Sequence, residues 1–222
     1  MSIAKKIDHT NINKGATEAD IRQLCREARE YGFHGVCINP EWTSVAAEEL
    51  KDSEVKVVVL VDPPMGLSSH DDRMKVCEKI KAEGCDEIDV VMNVIDLKYE
   101  RYEKVREDLL PICNLLDTKV IIGSGYLTDD EIRKASEIVK KAGAICVKTA
   151  TFKDPLEERE VEEKGYHLKL MKEGAPGLLI KASGNIRHYP QAKYMVECGA
   201  DIIGTSSGIQ IVEDEKQAMG QA

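Results

Sequence analysis

Two lysines close short apolar runs in this 222-residue chain: Lys148 ends ICVK and Lys181 ends LLIK. A single lysine at a strand end is in most proteins a solvated terminus. Two of them on neighbouring strands, each behind an apolar run, point elsewhere. In register they would stand side by side in a low-dielectric pocket, where each ammonium disfavours the other, and an amine that loses its proton near neutral pH is a nucleophile for a carbonyl carbon. In EIDVVMN (87–93) the period of two puts Asp89 on one face with Val91, opposite Ile88, Val90 and Met92, so a carboxylate sits midway along an apolar run. Beside two lysines it would either form a structural salt bridge or relay protons through a bound water. A third signal is GTSSG (204–208). Gly204 permits close backbone approach, Ser206 and Ser207 offer hydroxyls, and a helix starting near Ser206 would aim free N–H groups at an anion.

These residues need elements to position them, and the chain supplies a regular series. Apolar runs at 35–39 (GVCIN), 55–61 (VKVVVLV), 87–93, 119–122 (KVII), 145–148, 178–181 and 201–204 (DIIG) read as strands, and KIDHT at 6–10 can be an eighth. Helical patterns lie between them. Thr17 with Asp20 and Thr128 with Glu131 have the spacing of capping boxes, and Gly32, Gly84, Gly143 and Gly199 fall where helices should end. Strands separated by helices run parallel, and runs apolar throughout suit a sheet covered on both faces. Eight such units predict a single-domain (β/α)8 barrel over residues 1–222; an open doubly wound sheet is disfavoured because no G-x-G-x-x-G follows the first strand. In such a barrel, chemistry sits at the C-terminal strand ends and phosphate at the loops after strands seven and eight, here Gly184, Asn185, Gly204, Ser206 and Ser207.

Composition narrows the partners. A net charge of −9 and a pI near 5.2 argue against nucleic acid or a membrane surface and leave room for a small anionic substrate. Seven cysteines without any C-x-x-C read as small core residues in a cytoplasmic protein, and no apolar stretch resembles a signal peptide or a membrane span. His9, His34, His70, His167 and His188 show no metal-ligand spacing; neither a metal nor another cofactor is expected, and His9 reads as a hydrogen-bonded barrel residue. The segment 152–165 is highly charged and reads as a long loop leading into a solvated helix.

The motifs IDHT, VCIN, EIDVVMN, LTDDE, VKTAT, KASGNIR and IGTSSG, in that order along nearly the whole chain, resemble the deoxyribose-phosphate aldolase family. The resemblance implies a (β/α)8 barrel that cleaves 2-deoxy-D-ribose 5-phosphate reversibly to acetaldehyde and D-glyceraldehyde 3-phosphate through a Schiff base. It implies an imine on Lys148, a Lys181 that depresses the pKa of Lys148, proton transfer by Asp89 and a phosphate ligand in Lys153. A homo-oligomer is the expected assembly. Several positions depart from the pattern: Asn185 stands where a second glycine is usual, Phe152 replaces a glycine after the imine strand, GSG (123–125) replaces a glutamate–threonine pair, VDPPMG replaces a glycine–phenylalanine–proline run, and no tyrosine lies in the final QAMGQA. Two other readings stay open on the residues alone: a metal-free phosphosugar isomerase or epimerase with Asp89 as base, and a silent relative that binds a phosphorylated ligand.

Overall fold

A computed structural model describes residues 2–151 and 161–220. After a 3-10 turn the chain alternates strand and helix: β1 (Ile7–Asn11), α1 (Glu18–Tyr31), β2 (Gly35–Ile38), α2 (Thr43–Leu50), β3 (Lys56–Val61), α3 (His70–Ala82), β4 (Glu87–Val91), α4 (Val94–Lys98), α5 (Tyr102–Leu115), β5 (Asp117–Ile121), α6 (Asp129–Lys141), β6 (Cys146–Lys148), α7 (Val161–Gly174), β7 (Leu179–Ser183), α8 (Tyr189–Glu197), β8 (Ile202–Thr205) and α9 (Gly208–Gly220). The eight strands pair in chain order as a closed parallel barrel, β8 returning to β1.

The local signals act as their chemistry requires. Thr17 and Thr128 cap α1 and α6 in reciprocal boxes with Asp20 and Glu131. Gly32, Gly84, Gly143 and Gly199 all take the positive φ that ends a helix cheaply only at glycine. Outward strand residues, among them Ile88, Val90, Val147, Ile180 and Ala182, join one continuous core with the helices. Inward residues divide into two sectors. Cys37, Val58, Leu60, Val91 and Ile121 make a small apolar cluster on β2 to β5. The other sector is ionic, with Cys146 and Ile202 buried beside its charges.

Two of the boundary shifts bear on the site. The run 87–93 leaves the sheet at Val91, and Asn93 instead caps the short helix α4, accepting from the Asp96 amide. β7 continues to Ser183, so Lys181 lies within its strand rather than at its end, and its side chain is wholly buried. A parallel ladder with β8 through Ser183↔Gly204 extends that strand.

Candidate active site

Strand parity and barrel register together assemble an ionic column inside the barrel. Lys148 pairs with Lys181 across β6 and β7, and Asp89 pairs with Lys119 across β4 and β5. Asp89 sits at the centre. Its Oδ2 accepts from Lys148 Nζ at 2.8 Å and from Lys181 Nζ at 2.7 Å, while its Oδ1 accepts from Lys119 Nζ at 3.2 Å. Lys181 also donates to Asp8 Oδ2, Lys119 is ion-paired with Glu87, and Lys119 Nζ lies 3.7 Å from Asp8. The parity argument for Asp89 and the side-by-side placement of the two lysines therefore hold.

Charge in this column is mutually supported. Burial pushes the Asp89 carboxyl up, but Lys119, Lys148 and Lys181 outweigh it and hold the group well below the usual carboxylate range. The same contest, burial against Lys181, Lys119 and His34, leaves Asp8 below its ordinary value. Burial disfavours the Lys181 ammonium, yet Asp8 and then Asp89 more than offset it, so its pKa is raised. Lys119 is raised likewise against burial, by Asp89, Asp8 and Glu87. Lys181 is thus a fixed cation beside Lys148. Cys37 Sγ lies 3.8 Å from Asp89 Oδ2, and burial pushes its thiol up.

Lys148 alone of the three lysines opens onto a cavity of about 310 Å³ at the C-terminal mouth, which Thr10, Thr151, Ser183, Gly184, Asn185, Arg187, Gly204 and Ser206 help to line. Gly184, Asn185, Gly204 and Ser206 are thereby brought to the same cavity as Lys148. Asn185 takes φ 56°, the left-handed backbone that asparagine accepts more readily than most residues. Gly204 is required by packing: a Cβ there would stand 2.3 Å from Ser183 Oγ and 3.0 Å from Lys181 Cε. Thr205 ties the two loops together, its hydroxyl donating to the Ile186 carbonyl at 2.6 Å and accepting from the Ser207 amide at 2.9 Å. Helix α9 starts at Gly208, two residues later than expected. Ser207 faces a neighbouring cavity of about 600 Å³ with His9 and Glu27.

His9 points outward and lies 3.0 Å from Glu27 through Nε2, a barrel residue as its context suggests. Lys153 and Phe152 lie outside the described residues, as does most of the charged 152–165 segment. Among the described residues no group of three or more His, Cys, Asp or Glu is placed to hold a metal ion, and no helix is long and apolar enough to cross a membrane. Four site residues are not singled out by the sequence: Asp8, Glu87 and Arg187, which stand inside IDHT, EIDVVMN and KASGNIR, and Lys119. The available signal for Lys119 is its parity with Ile121, which faces inward.

Residues 2–192 match the family described as DeoC/LacD family aldolase. A deoxyribose-phosphate aldolase of Caldanaerobacter subterraneus subsp. tengcongensis is 42% identical over 229 residues, covering 99% of this chain and 96% of that protein. A deoxyribose-phosphate aldolase of Clostridium tetani is 39% identical over 222 residues, covering 97% of this chain and all of that one (100%). Among solved structures, the deoxyribose phosphate aldolase of Aeropyrum pernix, described as a unique tetramer, superposes with a TM-score of 0.84 at 29% identity, covering 97% of this chain and 92% of that one.

Proposed function

The chain belongs to the DeoC/LacD family of aldolases, and from that premise we propose that it cleaves 2-deoxy-D-ribose 5-phosphate reversibly to acetaldehyde and D-glyceraldehyde 3-phosphate through an imine on Lys148. The observation that carries this reading is the shared Asp89 oxygen, with the mouth-facing Lys148 on one side and the wholly buried Lys181 on the other. A neutral Lys148 amine adds to the aldehyde carbon of the open-chain sugar, and loss of water leaves an iminium. Removal of the proton from the C3 hydroxyl, by Asp89 through a water, breaks the C2–C3 bond. Its electron pair passes into the iminium to give an enamine, and glyceraldehyde 3-phosphate departs. The enamine takes the proton back at C2, and water then releases acetaldehyde and the free amine. Lys181, with Lys119, keeps Asp89 ionised.

The phosphate is assigned to Gly184, Asn185, Gly204, Ser206 and Ser207, with the N-terminus of α9 behind them, and to Lys153. The whole chain is read as one catalytic unit acting in the cytoplasm as a homo-oligomer, which light scattering on a sizing column would check. The deciding experiment is borohydride reduction in the presence of acetaldehyde. An ethyl group should appear on Lys148, located by peptide mass. No adduct, or one on Lys181 alone, would reject the assignment and favour the alternative, a metal-free phosphosugar isomerase or epimerase with Asp89 as base.

A further inference from the structure

The buried ions do not stop at the level of Lys148. His34 enters β2 at the N-terminal end of the barrel, the floor opposite the mouth, and its Nδ1 lies 2.6 Å from Asp8 Oδ1. The neighbouring Gly35 makes that approach possible, since a Cβ there would stand 3.0 Å from Asp8 Oδ1 and 3.1 Å from Val58 Cγ2. A continuous chain of polar contacts follows: His34 to Asp8, Asp8 to Lys181, Lys181 to Asp89 at 2.7 Å and Asp89 to Lys148 at 2.8 Å. Asp8, Lys181 and Asp89 are sealed, whereas the His34 side chain is 27% exposed. The column therefore touches solvent at the floor through His34 and at the mouth through Lys148.

Charge counting shows what such a contact can do. Lys119, Lys148 and Lys181 balance Asp8, Glu87 and Asp89 when all six are ionised. Attack on a carbonyl needs Lys148 without its proton, which leaves the group one charge negative. A proton on His34 restores the balance. The charged groups that face the His34 ring are Asp8 from β1 and Glu87 from β4, the latter with an oxygen 4.0 Å from Nε2 and itself paired with Lys119; the Lys56 amide of β3 donates at 3.0 Å to the His34 backbone carbonyl.

We propose that His34 is a positioning residue for the imine chemistry, acting from the barrel floor: it fixes Asp8 for Lys181 and, when protonated, offsets the negative charge the column acquires as Lys148 gives up its proton. This rests on the role proposed for Lys148. His34→Gln keeps an amide donor for Asp8 but takes no proton. In borohydride trapping with acetaldehyde, each rate normalised to its own alkaline plateau, the acid limb of the variant should move to higher pH by about half a unit, or roughly three-fold slower trapping on that limb. Superimposable profiles would overturn the proposal. A reciprocal measurement needs no turnover: by linkage, removing the Lys148 charge in Lys148→Met must raise the midpoint at which the His34 ring titrates, followed by NMR. An unmoved midpoint overturns the coupling. A midpoint that moves although the parent protein traps no acetaldehyde supports the coupling and rejects the imine.

Discussion

Replacing Lys181 by methionine removes a cation from the centre of the barrel while keeping the side-chain length. The variant loses two charge-assisted hydrogen bonds, to Asp8 and to Asp89, each worth about 1.5–3 kcal/mol. Against this, the cost of burying the ammonium disappears, and Lys119 remains 3.7 Å from Asp8 and 3.2 Å from Asp89. Removing one partner of a buried pair costs about 3–5 kcal/mol; with Lys119 in place, about 3 kcal/mol is expected. The pH dependence has a definite sign. Asp8 and Asp89 titrate in the fold below their ordinary 3.8, so their contribution is complete above that value and lost as pH falls through the folded values. Without Lys181 part of it is missing at neutral pH, so the gap between parent and variant should be wide at pH 7, where the contribution is complete, and narrower at pH 2, with the narrowing confined to the range below 3.8. Urea unfolding at both pH values measures this. The double variant Asp8→Asn/Lys181→Met, which removes both charges, should be more stable than the sum of its singles by about 1 kcal/mol or more. A Lys181→Met protein as stable as its parent at pH 7, or a strictly additive double variant, would refute the idea that the column is held by charge balance.

Two further outcomes are expected. Gly204→Ala puts a methyl within 2.3 Å of Ser183 Oγ and 3.0 Å of Lys181 Cε, so thermal unfolding should report a loss of about 1–3 kcal/mol and aldehyde trapping should slow; parent-like values in both would show that β7 and β8 separate easily. Burial pushes the Cys25 and Cys85 thiols up to about 12 and Cys77 to about 11, so at pH 8 iodoacetamide should leave these three unmodified in the native protein and label all seven cysteines in urea, as read by mass spectrometry.

How much of this was legible beforehand follows from what one sequence carries. Asp89 could be placed because parity within a strand is a local property, and the long apolar face of EIDVV made the exception visible. Lys148 and Lys181 could be paired because each lies one residue beyond a recognisable run, and their neighbouring strands are successive. Lys119 was hidden for the opposite reason. It opens the run KVII and so looks like a solvated strand start, whereas β5 begins two residues earlier at Asp117 and carries it inward. Asp8 and His34 depend on the closure of β1 against both β2 and β8, a register that no local pattern encodes. The mouth was easier, because glycine, asparagine and serine announce tight turns and exposed amides.

The column also ties the appearance of the site to the order in which the chain is made. Asp8 reaches a partner 173 positions away and Asp89 one 92 away, both on β7. A nascent chain that has left the ribosome only as far as β6 carries these carboxylates and Lys148 but no Lys181, and β1 has not met β8. Three-quarters of the barrel therefore cannot hold its central charges in balance, and water must keep them. Synthesis of the last two strands and closure of the seam are then one event with assembly of the site, so a truncated product should be recognised as unfolded by proteases rather than persist as a partial barrel with a reactive amine.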